Sequence, residues 1–464
     1  MSDTVNYTDF ILDRVYETKF EDIEPEAIQR ARTRLIDAMG VLSIGATIPD
    51  TRATVEMVAA SGGKEEASVA TFGIKLPMEA AAFLNAIIMR SYDFEPIDAE
   101  SIEVAGPTTA AHISGTTIPT ALVAAEAMHA SGKDLLRALI LGDDLTARAL
   151  NAGCFSVHDK FDGNGTANLL GSTLIASLLL GLTKEEAKGA LAVAVNEMSG
   201  SMQTVFEKTV IFKFPISASA KNGIFAAKLA RSGYVDCLSD PINGTRGFFE
   251  LYYSNPSPEI MLKDYGKRFI ADCVIKPWPS CRATHASIDS VLNALDGRSF
   301  EPEQVESINV HITQGSKNFV GQGFKFGMSK NFQGAFSIDF LVATAVLRGD
   351  VRAEFFTPEM MTEERLGKML EKVNLIPDQP AGTSSFKVDS EIKLADGSML
   401  EYHTTYPLGD YYRSRMTEEQ FFGKYYANIE FGGRVSKENA DAIVKTIQDL
   451  ENLDDVSKLM DLIR

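Results

Sequence analysis

The first part of the chain repeats apolar residues at the spacing of an α-helix with one buried face. Five apolar residues share one face of the segment 26–45, namely Ile28, Ala31, Leu35, Ile36 and Met39. This pattern stops at a glycine, as an amphipathic helix often does. Residues 134–150 and 223–233 show the same helical spacing of apolar residues. Several of these segments are rich in alanine, glycine and serine, which permit close helix packing. We therefore predict a large all-helical domain.

Alternation of apolar and polar residues replaces the helical spacing from about Val274 onward. Residues 305–314 alternate, and residues 386–407 contain two alternating runs joined by an Asp-Gly pair, which is a hairpin signal. Helical patterns lie between these strands, and the tail from Thr417 is helical again. The predicted fold class is therefore mainly α, with a large all-helical domain and a smaller α+β lid domain.

The positions of these changes predict the domain boundaries. Residues 1–268 and 408–464 are expected to form the helical domain, and residues 269–407 the α+β lid domain. The most membrane-like segment, residues 166–182, contains Asn168, Ser172, Thr173 and Ser177 and is predicted to be a buried core helix. The first twenty residues mix charges with apolar positions, unlike a signal peptide, so we expect a cytoplasmic protein.

Composition narrows the function classes. The 464 residues have 45% hydrophobic content and a net charge of −18, so a sizeable core is expected. The negative charge argues against binding to nucleic acid or to an anionic membrane, which both need a basic surface. A small molecule or a protein is the expected partner. An anionic substrate would need a local cluster of lysine, arginine or histidine.

The sequence contains no cofactor motif and no metal-site spacing. The four cysteines, at positions 154, 237, 273 and 281, are dispersed and are expected to be reduced thiols. The glycines of residues 321–327 have the wrong spacing for a phosphate-binding loop. We therefore predict neither a cofactor nor a metal.

Three of the six histidines are candidates for chemistry. His112, His158 and His285 are predicted to lie in loops beside helix starts, where glycine, proline, serine and threonine surround them. Solvent contact explains the other three, His129, His311 and His403. The acidic run from Asp93 to Glu103, taken alone, is typical of a solvated surface loop.

The segment "IKPWPSCRATHASID", residues 275–289, allows two interpretations. Its prolines stiffen a loop in which Arg282 pairs with a substrate carboxylate, or they pack a domain junction while Arg282 is solvated. His285 stands at or just before the first turn of a helix, and the positive helix end favours the neutral imidazole there.

Six segments, in order, resemble the motifs of the MmgE/PrpD family. These are "SYDFEP", "HISGTTIPTALVAAEAMHASGKDLLRALILG", "GNGTANLLGSTLIASLLLGLT", "FKFPISASAKNGIFAAKLARSGY", "KPWPSCRATHASID" and "GAFSIDFLVATAVLRGDV". The resemblance implies a helical domain with an α+β lid, a homodimer, and a metal-free active site between the domains. The family's catalytic residues correspond to Asp93, His112, Lys213 and His285. For substrate binding we single out Lys276, Arg282 and His158.

Two departures from the family pattern leave the substrate open. The usual Asp-Phe-Asp-Asp-Thr run is "DFEPID" here, with Pro96 in place of a carboxylate and Ile97 in place of the threonine. A histidine expected near Asp162 is either absent or moved upstream to His158.

The chemistry that the resemblance implies is proton removal or delivery at a carbon beside a carboxylate, with positive groups stabilising the growing charge. We expect a lyase, as a dehydratase of a small di- or tricarboxylate. An isomerase or epimerase using two opposed acid/base groups, a decarboxylase and a non-catalytic binding protein remain open alternatives.

Overall fold

A computed structural model describes residues 5–103, 108–236, 238–327 and 330–464, so Cys237 lies outside the described residues. Twenty α-helices lie within these ranges. They are α1 (Tyr7–Glu17), α2 (Pro25–Gly45), α3 (Pro49–Ala59), α4 (Met78–Arg90), α5 (Ser114–Ala127), α6 (Gly132–Ala152), α7 (Ala167–Leu179), α8 (Lys184–Glu197), α9 (Gln203–Phe206), α10 (Phe214–Arg231), α11 (Phe248–Tyr252), α12 (His285–Leu295), α13 (Gln314–Val320), α14 (Asn331–Ala335), α15 (Ile338–Arg348), α16 (Pro358–Met361), α17 (Glu364–Leu370), α18 (Glu418–Gly432), α19 (Lys437–Gln448) and α20 (Ser457–Ile463).

Eight short strands in the same ranges form one four-stranded sheet and two small pairs. They are β1 (Ala67–Val69), β2 (Ile74–Leu76), β3 (Ile97–Ala99), β4 (Asp272–Val274), β5 (Val305–His311), β6 (Val373–Ile376), β7 (Val388–Leu394) and β8 (Met399–Thr404). The fold is thus mainly α with a smaller α+β part, which confirms the predicted fold class.

The core of the helical part is built around α7, which packs against α5, α6, α8 and α10. Close packing depends on small residues here: a Cβ added to Gly171 would lie 2.0 Å from Thr146 Oγ1. Two polar side chains of α7 are satisfied within the helix, since Thr173 and Ser177 donate to carbonyls one turn earlier, at 2.7 Å each. This confirms the predicted core helix. None of the helices in the described ranges is both long and apolar enough to cross a membrane.

The four-stranded sheet has the order β6-β5-β7-β8, with β5 and β6 parallel and the other pairs antiparallel. Ile308 and Val310 are fully buried along β5, and the predicted hairpin joins β7 to β8 through Gly397, whose φ is +88°. Helix α12 packs against β7 and β8.

Two features connect distant parts of the chain, and the first of them was not predicted. Strand β3 pairs with β4, which joins the segment after α4 to residues more than 170 positions later, with Ile97 opposite Val274. The C-terminal helix α18 packs against α2, and α20 packs against α5. The β1–β2 hairpin is a further addition to a part predicted to be all-helical. The domain boundaries at 268 and 408 stay a prediction.

Candidate active site

The loop between α4 and β3 turns its acidic side chains inward. Asp93 adopts a left-handed backbone conformation, with φ +51°, which aspartate tolerates better than most residues. Glu95 is fully buried, and Asp98 and Glu100 are each 2% exposed. The expectation of a solvated loop is therefore wrong for these residues. These carboxylates can be buried because they are paired with cations: Glu100 pairs with Arg30, and Asp98 lies 3.5 Å from Arg282 Nε.

Arg90, the last residue of α4, lies at the centre of a buried charge cluster. Its Nη1 is 2.5 Å from both Asp93 Oδ1 and Glu95 Oε1, and 2.7 Å from His112 Nδ1. The guanidinium also stacks over the ring of Phe212, with 4.8 Å from its carbon to the ring centre. The second oxygens, Asp93 Oδ2 and Glu95 Oε2, have no hydrogen-bond partner within the described residues. Both are buried acceptor atoms.

The potential ligand atoms of Asp93, Glu95 and His112 lie within 4.8 Å of one another. Carboxylate oxygens and imidazole nitrogens are both common metal ligands, so these atoms could hold a metal ion. Arg90 Nη1, however, lies within hydrogen-bond distance of one donor atom from each of the three. The guanidinium thus supplies the positive charge at the point where these donors converge. This arrangement does not fit a metal ligand set as it stands.

Lys276 supplies a second buried cation, which binds the same Asp93 oxygen as Arg90. Its Nζ donates to Asp93 Oδ1 at 2.7 Å and to the Asp93 carbonyl at 2.6 Å. The β3–β4 pairing brings Lys276 here, because it follows β4 by two residues. Burial raises the pKa of Asp93, but the charges of Lys276 and Arg90 outweigh it and lower that pKa below its usual value.

His112 precedes α5 and meets this cluster through Nδ1, 2.9 Å from Glu95 Oε1. Its backbone is fixed by two asparagines, since Asn164 Oδ1 accepts from the His112 N–H and Asn168 donates to its carbonyl. Burial and then the charge of Arg90 lower the pKa of His112 to about 4. The ring is therefore neutral near pH 7. A proton on Nδ1 donated to Glu95 places the ring's lone pair on Nε2, which lies 3.2 Å from Arg90 Nη1.

Lys213 ends a short 3₁₀ turn immediately before α10, and its side chain is 3% exposed. Its Nζ donates to Asp50 Oδ2 at 3.0 Å and lies 3.4 Å from Thr51 Oγ1. Burial lowers the pKa of Lys213, and Asp50 opposes that shift while Arg90 adds to it. Lys213 is thus buried rather than a surface lysine, and it lies near enough to Arg90 for the two charges to interact.

His158 lies outside this cluster. It is exposed in the loop after α6, where its N–H donates to Ser156 Oγ and its ring packs 6.3 Å from that of Phe206.

His285 and Arg282 are buried in the segment leading into α12. His285 is the first residue of α12; its Nε2 lies 3.2 Å from the Ser280 carbonyl and its Nδ1 3.4 Å from Arg282 Nη1. Burial, and then the charge of Arg282, hold the pKa of His285 well below its usual value. Both ring nitrogens therefore have protein partners, and the ring meets Trp278 edge to face at 5.3 Å.

Arg282 is 4% exposed, so the interpretation of a solvated arginine is wrong. Its Nη1 donates to the Leu408 carbonyl at 2.9 Å, and its guanidinium stacks over Phe386 and Tyr406. These contacts tie the start of α12 to the segment that returns toward α18.

A cavity of about 840 Å³ adjoins the Asp93 loop through Phe94. Phe94, Trp278 and Lys424 are among the residues that line it, together with the loop after β8. The seven predicted site residues are not among its lining residues. The cavity thus adjoins the loop, but the side chains of the charge cluster do not line it.

The structure brings Asp93, His112 and Lys276 together, and it adds Arg90 and Glu95, which the sequence did not single out as site residues. Asn164 was also missed, although it lies in the Gly-Asn-Gly turn close to the place of the absent histidine. A signal for Arg90 and Glu95 was present, because three charged residues within six positions, beside a helix end, form a compact acid–base group if buried.

Two family models match this chain. The MmgE/PrpD N-terminal domain matches residues 11–261, and the MmgE/PrpD C-terminal domain matches residues 278–451. Together they span most of the chain, which therefore belongs to the MmgE/PrpD family. This confirms the resemblance seen in the sequence.

Curated relatives of this chain are cis-aconitate decarboxylases. The chain is 24% identical to the enzyme of Homo sapiens over 97% of its own length and 93% of the relative's. It is 23% identical to that of Mus musculus, over 97% and 92%, and 20% identical to one of Aspergillus terreus, over 96% and 93%. The family is thus one of enzymes, and lyase-type chemistry is supported at the level of the family.

Proposed function

We propose that this protein is a cofactor-independent lyase that removes water from a small hydroxylated di- or tricarboxylate. The observation that carries the proposal is a neutral, buried His112 bonded to Glu95, with the cations Arg90 and Lys276 beside it. A neutral imidazole is ready to accept a proton, and buried cations stabilise the enediolate that forms when a carbon beside a carboxylate loses one.

The residues take complementary roles in this reaction. His112 Nε2 removes the proton from the carbon beside the carboxylate, and Lys276 stabilises the negative charge that develops. As the carbon–oxygen bond breaks, the leaving hydroxide takes a proton from the Lys213 ammonium, whose pKa is lowered by burial. The products are an alkene carboxylate and water. Asp93 and Glu95 orient the two cations and the imidazole.

Decarboxylation is a second candidate, favoured by the cis-aconitate decarboxylases that match over nearly the whole chain. In that reaction carbon dioxide leaves and the resulting carbanion takes a proton. Because His112 is neutral near pH 7, a lysine ammonium of the site would deliver this proton. Both reactions use the same buried cations.

One experiment separates these reactions. The protein is incubated in D₂O with hydroxylated di- and tricarboxylates and with cis-aconitate, and water loss, carbon dioxide release and deuterium incorporation are followed. We expect a new conjugated double bond in a hydroxylated substrate. Carbon dioxide release would favour the decarboxylase, deuterium exchange without elimination an epimerase, and no change with any compound would refute the lyase proposal.

The role of His112 is tested by His112→Asn. Turnover is expected to fall by roughly 10²- to 10⁴-fold, because a positioned general base contributes about that much. His403→Asn is the matched control, since that histidine is exposed on β8. Wild-type turnover in His112→Asn would contradict the assignment.

A further inference from the structure

Lys424 of α18 contacts the Asp93 loop, although it lies 330 positions after Phe94 in the sequence. Its side chain is 4% exposed, and its Nζ lies 2.6 Å from Asp37 Oδ1 on α2. The same ammonium donates to the Phe94 carbonyl at 3.2 Å and lies 3.9 Å above the centre of the Phe94 ring. One buried cation therefore joins α18, α2 and the loop.

The Phe94 carbonyl directly follows the carbonyl that Lys276 holds. Lys276 Nζ binds the Asp93 carbonyl at 2.6 Å, so two buried lysines fix the peptide groups on both sides of Phe94. Those two peptide groups set the directions of the Asp93 and Glu95 side chains. Because Asp93 has a left-handed backbone, rotation of either peptide group would move a carboxylate away from Arg90.

We infer that Lys424 is a positioning residue of the site: it holds the Phe94 carbonyl so that Asp93 and Glu95 meet Arg90 and His112. The inference rests on the proposed function, because it gives the loop a catalytic purpose. Lys424 does not reach the reacting atoms, and its effect passes through the backbone of the loop.

The first test is Lys424→Ala. We expect kcat to fall by about 10- to 100-fold with KM within a few-fold, since small misplacement of catalytic groups has effects of this size. Lys188→Ala is the matched control, because Lys188 also pairs with an aspartate, Asp9, at 2.7 Å, between α8 and α1. Wild-type kcat in Lys424→Ala would overturn the inference.

A second variant separates positioning from folding. Lys424→Ala leaves the Asp37 charge buried without its partner, which destabilises the fold. The double variant Asp37→Leu/Lys424→Met removes both charges and fills the space, so its unfolding midpoint is expected to recover. Its kcat should stay low, because the Phe94 carbonyl still lacks its donor. Recovery of kcat together with stability would overturn the inference.

The neighbouring cavity allows a chemical rescue. Lys424 lines the 840 Å³ cavity, so a small alkylammonium ion can reach the space that Lys424→Ala creates. Propylammonium is expected to raise kcat of Lys424→Ala by about tenfold, in a saturable way, as a charge-assisted hydrogen bond to the carbonyl is restored. Propanol, similar in size and uncharged, should not. Equal recovery with both compounds, or no recovery, would overturn the inference.

Hydrogen exchange of the peptide covering residues 91–99 measures how firmly the loop backbone is held, and it needs no substrate. Exchange there should be about tenfold faster in Lys424→Ala than in the wild type or in Lys188→Ala, and propylammonium should reverse it. If the wild type acts on none of the carboxylates and this exchange pattern is found, the proposed function fails and the role of Lys424 stands. Unchanged exchange overturns the role of Lys424, whatever the activity.

Discussion

Glu95→Gln tests the charge cluster most directly, because it changes one charge and almost no volume. Glu95 is fully buried, and its Oε1 accepts from Arg90 Nη1 at 2.5 Å and lies 2.9 Å from His112 Nδ1. The glutamine carbonyl can accept from the same two groups. The negative charge is lost and the unpartnered Oε2 becomes an amide NH₂ group, so the main effect reports the electrostatic part of the contact.

The expected loss of unfolding free energy is about 1–3 kcal/mol near pH 7. Hydrogen bonds to charged groups are worth about 1.5–3 kcal/mol, and neutral ones about 0.5–1.5 kcal/mol. Removing the sole partner of a buried charge would cost more, about 3–5 kcal/mol. Arg90 keeps Asp93 at 2.5 Å, so the smaller range applies.

The effect also has a defined pH dependence. Burial raises the pKa of Glu95, but Arg90 and then His112 outweigh it, so the folded-state pKa lies well below the usual value. A carboxyl with a lowered pKa stabilises the fold fully above its unfolded-state pKa of about 4.3. That contribution is lost as pH falls from there toward the folded-state pKa. Near pH 3.5 the difference between wild type and variant should therefore be about 1 kcal/mol smaller than at pH 7.

Urea unfolding followed by circular dichroism measures this difference. Glu103→Gln is the matched control, since Glu103 lies in the same acidic run with a side chain that is 74% exposed. Its midpoint should equal that of the wild type. Equal midpoints for Glu95→Gln and wild type at pH 7, or a gap that is as large near pH 3.5, would refute the reasoning.

The remaining tests concern His285, metals, domain boundaries and assembly. His285→Ala is expected to lower the unfolding free energy by about 2–4 kcal/mol with kcat nearly unchanged, because both ring nitrogens have protein partners. A kcat loss of roughly 10²- to 10⁴-fold at unchanged stability would instead show that His285 acts as an acid or base. Chelation should leave turnover intact, since Arg90 supplies the cluster's cation; loss of turnover restored by a divalent ion would contradict this. Limited proteolysis should cut first near residues 268 and 408, and not near residue 150. Sedimentation should show a homodimer at micromolar concentration, and a monomer would contradict the family expectation.

One helix and one hairpin show which elements were predictable: those with local signals. Helix α7 and the β7–β8 hairpin follow from apolar spacing and turn residues within about twenty positions. The burial of Glu95 was not predictable from such a window, since a run of acidic residues looks the same in a solvated loop and in a paired one.

The partners that decide between these two cases are distant in the sequence. Lys276 is 183 positions from Asp93, and Lys424 is 330 positions from Phe94. The family resemblance identified Asp93 and His112, because motifs are matched along the sequence without any knowledge of the contacts in the fold. It did not indicate Arg90 or Lys424, whose roles depend on hydrogen bonds that only the folded chain forms.

The packing of α18 against α2 sets the order in which this protein can finish folding during its synthesis. A Cβ on Gly432 would lie 2.3 Å from the Ser43 carbonyl, so the two helices approach closely. At translation rates of about 5–20 residues per second, α18 leaves the ribosome roughly 20–80 seconds after α2. For that interval the nascent chain exposes a helix face that includes the Asp37 carboxylate. Chaperones that bind nascent chains are therefore expected to hold this protein until α18 has been translated.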